Sequence, residues 1–233
     1  MKRIIKISLI LLLVGMAVIV AVPFLKEKRA KKKYENDFKK IQESVIEKKS
    51  DVNVLVKKNK DCIGYVEIPG TTISYPVMQT KDNPDSYLNH DFNRNYSFYG
   101  TPYLSAYCDV KKSDNLIIYG HNINGGKMFG ALEKYKDKEF FNKHRKIYFI
   151  TDKKREYEVF AVMSVNIHEF EYWKFVMARD AKEYDEFVDK VEEHSLWRQG
   201  DKPKYGKQML MLSTCDNGKG DDWRVVVMGE KVC

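Results

Sequence analysis

The stretch Met209-Leu210-Met211-Leu212-Ser213-Thr214-Cys215 is an apolar strand pattern that ends in a thiol. Seven turn-forming residues, 216–222, follow it, and the chain then continues as Trp223-Arg224-Val225-Val226-Val227. A hairpin of this kind places the first residues of the second strand beside the last residues of the first. The sequence therefore predicts that Arg224 lies within side-chain reach of Cys215.

A second apolar run, Leu116-Ile117-Ile118-Tyr119, ends in Gly120 and His121. A thiolate is a competent nucleophile and a nearby cation favours it, while acyl transfer also needs a group that moves the proton of an amine. We therefore expect Cys215 as nucleophile, His121 as acid and base, and Arg224 as the group that holds a developing oxyanion. Asn122 follows His121 directly and is expected to point away from it, which favours a Cys-His pair with an Arg over a Cys-His-Asn triad.

The remaining pattern predicts a mainly β fold. Short β-type runs separated by turn residues begin after Lys60, and eight strands of this kind favour a closed barrel without exposed edges. Apolar residues at helical spacing predict an N-terminal helix over 34–49 and a long helix over 180–197, between the sixth and seventh strands. The predicted strands are 62–68, 72–79, 102–107, 115–120, 146–151, 157–166, 208–214 and 224–231.

The net charge of +8 comes from the N-terminus. Residues 1–33 hold nine Lys and Arg and one acid, whereas the remainder has 32 residues of each sign. The basic residues flank a charge-free run, 7–25, that spans about 28 Å as a helix. This pattern predicts a transmembrane anchor and a membrane as partner rather than nucleic acid. The expected organisation is a short cytoplasmic N-terminus 1–6, an anchor 7–25, a basic collar and helical segment 26–60 and a catalytic barrel 61–233.

The chain has four cysteines, and their spacing matches no metal site. Cys62 and Cys108 are expected to be reduced and buried, Cys233 is the terminal residue, and Cys215 is the reactive one. We expect neither a metal nor a cofactor.

Together these residues resemble the sortases. The resemblance rests on Tyr119-Gly120-His121-Asn122, on Leu212-Ser213-Thr214-Cys215 and on Arg224-Val225-Val226-Val227, and it extends to 63–71 and 73–77, which look like the first two strands of that family. It covers the chain from Gly64 to Lys231. The long helix before the seventh strand is similar to that of class B enzymes.

The resemblance implies a membrane-anchored cysteine transpeptidase on the outer face of a Gram-positive cell, with its N-terminus in the cytoplasm and its catalytic domain outside. It would cleave a C-terminal sorting motif of surface proteins after Thr through a Cys215 thioester, then pass the acyl group to an amine of peptidoglycan. The resemblance also implies a set of substrate-binding residues. They are Tyr119, Ser213, Leu88, Tyr172 and Trp173.

Other interpretations stay open at this point. A Cys-His peptidoglycan hydrolase would use water as acceptor, although it usually carries its Cys on a helix ahead of the His. A non-catalytic cell-surface binding module would show no special reactivity at Cys215. Arg224 would then pair with Asp221 or Asp222 on a solvated face, and Tyr172 and Trp173 would only pack under the adjacent helix.

Overall fold

The computed structural model of the protein describes residues 2–47 and 52–232. The chain divides into two compact units, Met1–Ile46 and Glu47–Cys233. The first unit is built from one helix, α1, which spans Lys2–Glu47. The second unit contains all the strands found in the described part of the chain.

The predicted membrane anchor is wrong. Within residues 2–47 and 52–232, no helix combines the length and the apolar character needed to cross a bilayer. The charge-free run 7–25 is not a separate element, because α1 continues through the basic residues that follow it as far as Glu47. The predicted single-pass localisation, with a cytoplasmic N-terminus and an extracellular catalytic domain, depends on that anchor and is also wrong.

The second unit is mainly β, as its alternation of apolar runs and turns predicts. Its helices are α2 Asn53–Lys58, α3 Lys138–Lys143 and α4 Ala181–Glu193, with 3₁₀ segments at Ser86–Leu88, Gly130–Lys136 and Tyr172–Lys174. Its strands are β1 Cys62–Glu67, β2 Ser74–Met78, β3 Tyr103–Leu104, β4 Asn115–Tyr119, β5 Asn122–Ile123, β6 Lys127–Met128, β7 Lys146–Ile150, β8 Lys154–Asn166, β9 Ser195–Arg198, β10 Met209–Cys215 and β11 Trp223–Lys231.

The main sheet closes on itself. Its strand order is β11-β10-β4-β3-β2-β1-β7-β8-β9, and β11 also pairs with β8. Eight strands therefore form a closed barrel, while β9 lies outside the ring against β8, and β5 and β6 form a small hairpin of their own. The predicted eight-stranded barrel is confirmed.

The barrel core is continuous along its central strands. Leu116–Ile118 of β4, Met209–Leu212 of β10 and Val225–Met228 of β11 are fully buried. Such unbroken apolar runs are typical of strands covered on both faces. The helix α4 packs beside β8 and β9 and buries its own apolar face, which consists of Tyr184, Phe187, Val188 and Val191.

The helix predicted over 180–197 is shorter than expected. Asp180 caps its start by accepting a hydrogen bond from the Glu183 amide, and the helix ends at Glu193. The next residues form β9, where Trp197 pairs with Val162 of β8. Pairing with an available strand edge thus outweighs the helical spacing of the last apolar residues.

Gly64 of β1 has no room for a side chain, since a Cβ there would lie 2.7 Å from the Phe149 ring and 2.8 Å from the Ile150 carbonyl oxygen. We expect Gly64→Ala to lower the free energy of unfolding by about 1–3 kcal/mol, because backbone cannot move aside cheaply. Urea unfolding measures this. Gly218→Ala is the matched control, because its Cβ meets only the Asp216 carboxylate at 3.5 Å; equal stability losses in both variants would contradict the steric argument.

Candidate active site

The strands β4 and β10 run parallel, so both end at the same edge of the barrel. Ser213 is in register with Tyr119. Beyond the end of β4, the Gly120 amide donates to the Ser213 carbonyl at 3.1 Å, and the Thr214 hydroxyl donates to the Gly120 carbonyl at 2.7 Å. His121 and Cys215 therefore follow at the same level in neighbouring strands, whose axes lie about 4.8 Å apart.

Arg224 reaches the same edge from the other side of β10. In the antiparallel pairing of β10 with β11, Arg224 lies directly opposite Cys215. Its Nη1 donates to the carbonyls of Asp221 at 2.5 Å and Trp223 at 2.9 Å. Both Cys215 and Arg224 are half-buried. The structure thus places the three residues that the sequence predicts as catalytic at the ends of three adjacent strands.

His121 is oriented by a main-chain contact. Its Nε2 lies 2.9 Å from the carbonyl oxygen of Leu88, which can only accept a hydrogen bond. This contact places a proton on Nε2 and leaves Nδ1 for a second partner. The preceding Gly120 is tightly packed, because a Cβ there would lie 2.8 Å from the Phe129 ring. The Phe129 amide in turn donates to the His121 carbonyl at 2.9 Å.

Cys215 differs from the other described cysteines in its surroundings. Cys62 and Cys108 are free thiols within the core, and burial raises the pKa of Cys62 to about 12 and that of Cys108 to about 11. Neither forms a thiolate readily. Cys215 is the half-buried thiol of this set, and Cys233 lies outside the described residues.

The residues predicted to bind substrate fall into two groups. Leu88 and Tyr119 are half-buried near His121, Leu88 through its carbonyl and Tyr119 two positions before it. Tyr172 and Ser213 are buried, and their hydroxyls are bonded to each other at 2.8 Å. Trp173 is half-buried, with its ring edge-on to Tyr172. The substrate-binding roles of all five remain predictions.

Burial raises the pKa of Tyr172 to about 12, while the hydrogen bond with Ser213 and the positive charge of Arg224 act to lower it. The Tyr172 phenol is thus neutral at physiological pH. Its hydrogen bond with Ser213 connects it to β10 two residues before Cys215.

Asn122 contributes a contact that the sequence reasoning missed. Its Nδ2 donates to the Cys215 carbonyl at 2.7 Å and to Glu133 Oε1 at 2.8 Å. The Asn122 side chain thus binds the backbone of Cys215. No spacing in the sequence marks it, because Cys215 is 93 residues away.

The sequence comparisons agree with this architecture. The sortase domain family matches residues 66–232. The chain is 32% identical to sortase B of Listeria monocytogenes over 193 residues, which cover 80% of this chain and 76% of that protein. It is 28% identical to sortase B of Staphylococcus aureus over 241 residues, covering 100% of this chain and 98% of that protein.

Solved structures show the same fold. A Staphylococcus aureus sortase B–substrate complex superposes with a TM-score of 0.78 at 26% identity, covering 87% of this chain and 97% of that one. Clostridium perfringens sortase B superposes with a TM-score of 0.72 at 28% identity, covering 78% of this chain and 99% of that one.

The buried Tyr172–Ser213 hydrogen bond gives a testable coupling. We expect Tyr172→Phe to lower the free energy of unfolding by about 1–3 kcal/mol, because it leaves the buried Ser213 hydroxyl without its partner. Adding Ser213→Ala should recover part of that loss, since both polar groups are then gone. Urea unfolding of the single and double variants measures the coupling. Strictly additive losses would show that the two hydroxyls do not depend on each other.

Proposed function

The chain belongs to the sortase family, and we propose that it cleaves a C-terminal sorting motif of surface proteins after a Thr and transfers the acyl group to an amine of peptidoglycan. Its similarity to sortase B proteins makes it a class B-like sortase, a cysteine transpeptidase. The observation that carries the finer proposal is the placement of Cys215 opposite Arg224 on one side and level with His121 on the other.

The proposed reaction begins with attack of the Cys215 sulfur on the Thr carbonyl carbon. The carbonyl electrons move to oxygen, and the Arg224 guanidinium stabilises this oxyanion in the tetrahedral intermediate. When the intermediate collapses, the C–N bond breaks and the departing amine takes a proton from His121. A thioester on Cys215 and a free downstream peptide result.

The second half reverses these roles. An incoming peptidoglycan amine attacks the thioester carbon, His121 accepts a proton from that amine, and the sulfur leaves as the new amide forms. Cys215 and His121 then hold the same single proton between them as at the start. The contact of His121 Nε2 with Leu88 supports this role, since it holds the ring by one nitrogen and leaves Nδ1 for proton transfer.

Arg224 suits the oxyanion role for a geometric reason. Its two hydrogen bonds in this structure both use Nη1, and no described residue accepts one from Nη2 or Nε. The guanidinium is planar and carries five N–H donors in a fixed fork, so it can bind an oxygen while keeping its contacts to the turn.

Substitution of the nucleophile is the direct test. Cys215→Ala should abolish turnover while the barrel stays folded, because the half-buried strand-end thiol contributes little packing. The protein would be incubated with quenched peptides that contain Thr, with and without triglycine, and followed by mass spectrometry. For the unaltered protein, we expect a peptide bound to Cys215 as a thioester and then transferred to triglycine. For Cys215→Ala, we expect neither product.

Cys62→Ala is the matched control, because it removes a buried thiol on β1, three strands from β4 in the sheet, and should keep turnover. Cleavage without transfer to the amine would indicate a thiol hydrolase. A Cys215→Ala variant that still turns over peptide would rule out the assigned nucleophile.

The oxyanion role predicts a marked sensitivity at Arg224. Arg224→Lys should lower kcat/KM by about 10²–10³-fold, because a point charge on a flexible stem cannot reproduce the planar fork. The steady-state rate with the best peptide measures this. Arg198→Lys, on the outer strand β9, is the control and should behave as the unaltered protein; near-full activity of Arg224→Lys would reduce Arg224 to a surface residue.

A further inference from the structure

A cluster of polar side chains lies under the turn that follows Cys215, and the chemistry above does not use it. The turn covers residues 216–222, of which 217–222 are all exposed. Asp216 alone is buried, with no exposed surface. The turn that joins Cys215 to Arg224 is therefore anchored in the protein by one carboxylate.

Both oxygens of Asp216 are bound. Lys136 Nζ lies 2.6 Å from Oδ1, the Ser164 hydroxyl donates to Oδ2 at 2.6 Å, and the Gly218 amide donates to Oδ1 at 3.1 Å. Burial opposes ionisation of Asp216, but the hydrogen bonds from Lys136 and Ser164 outweigh it and lower the carboxyl pKa. Asp216 is accordingly a charged group held from three sides.

The contacts lead from Asp216 back to Cys215. Lys136 Nζ also lies 2.6 Å from Glu133 Oε2, and Glu133 Oε1 accepts from Asn122 Nδ2 at 2.8 Å. The same Asn122 nitrogen donates to the Cys215 carbonyl at 2.7 Å. Both N–H bonds of that amide are thus used, and the backbone on each side of the Cys215–Asp216 peptide bond is tied to one cluster.

The turn 216–222 is also connected to Arg224. The Asp216 amide donates to the Trp223 carbonyl at 2.9 Å, and the Asp221 and Trp223 carbonyls are the two acceptors of Arg224 Nη1. A shift of Asp216 would therefore move the acceptors that orient the guanidinium.

Stability alone does not account for such a pair. Asp216 is the buried partner and Lys136 is half-buried, and burying a carboxylate costs desolvation that its ion pair often fails to repay. A fixed geometry is what a reacting thiol requires, because a displacement of about 1 Å can cost about 10²-fold in rate.

We propose that Asp216 and Lys136 are positioning residues whose ion pair fixes the β10–β11 turn, so that Cys215 and Arg224 remain opposite each other. Asn122 and Glu133 extend this contact to the carbonyl of Cys215. The reaction that these residues would assist is the one given under the proposed function, and the inference rests on that function in this respect alone.

The test compares Asp216→Asn, Lys136→Met and their double variant in the full-length protein. Asp216→Asn keeps the shape and removes the charge, and Lys136→Met removes the other partner. Two quantities are measured: the alkylation rate of Cys215 by iodoacetamide, followed by mass spectrometry, and kcat and KM with the best Thr-containing peptide and triglycine.

We expect each single variant to lower kcat by about 10–10²-fold with KM within about twofold, and to change the Cys215 alkylation rate. The double variant should be no worse than the worse single one, since the two residues act as a unit. Lys136→Arg should recover most of the loss, because it restores the charge pair.

Arg155→Met provides the matched control. Arg155 is a buried cation paired with Asp152 at 2.9 Å, and it lies ten positions along β8 from Val165, the residue opposite Arg224. Its loss should lower Tm without altering kcat or Cys215 alkylation. A purely structural role of the Asp216–Lys136 pair would give the same outcome as this control, and that result would overturn the proposal.

The outcomes separate this proposal from the proposed function. Alkylation needs no substrate, so a changed rate in the variants supports positioning even if the unaltered protein turns over no peptide. If Asp216→Asn does not fold, the comparison of Lys136→Met with Lys136→Arg tests the inference. An unaltered Cys215 alkylation rate in Lys136→Met would overturn it.

Discussion

The parallel pairing of β4 with β10 is the constraint on which the site depends. It brings together two segments that are about ninety residues apart in sequence and makes both strands end at one edge of the barrel. The antiparallel pairing of β10 with β11 then places β10 between the other two. A central strand carrying Cys215 thus has the histidine on one side and the arginine on the other. Barrel closure through β8 pairs the second edge of β11, so β11 cannot slide along β10 without breaking that pairing.

Hydrogen bonds continue past the point where the regular strands end. The Gly120 amide continues the β4–β10 hydrogen-bond pattern by donating to the Ser213 carbonyl. Beyond it, the Thr214 hydroxyl donates to the Gly120 carbonyl, and the Asn122 amide donates to the Cys215 carbonyl. Side chains thus replace backbone donors where the chains begin to diverge. This explains how half-buried groups at loop junctions keep a defined geometry, since each carbonyl near the thiol already has a donor.

The sequence was sufficient for the barrel and for the approximate position of Cys215, His121 and Arg224, because strand periodicity and turn residues are local signals. The sequence was insufficient where the structure of a segment or the role of a residue depends on contacts with residues far away in the chain. The residues after Glu193 became β9 because an edge of β8 was available to them. The run 7–25 was judged by its lack of charge, its length and its basic flanks, whereas α1 extends through the charged residues on both sides. Asn122 and Asp216 owe their roles to contacts with residues that no sequence spacing indicates.

Arg224 illustrates why the partners of a charged group matter more than its proximity to a site. The sequence left open a pairing with Asp221 or Asp222, which would have neutralised the guanidinium. In the described part of the chain, Arg224 has no carboxylate within ion-pair distance, and Asp222 lies 3.6 Å from His168 instead. Main-chain carbonyls hold Arg224 in place. A carbonyl dipole orients the guanidinium without cancelling its charge, so in the proposed reaction the positive charge remains for an oxyanion beside Cys215.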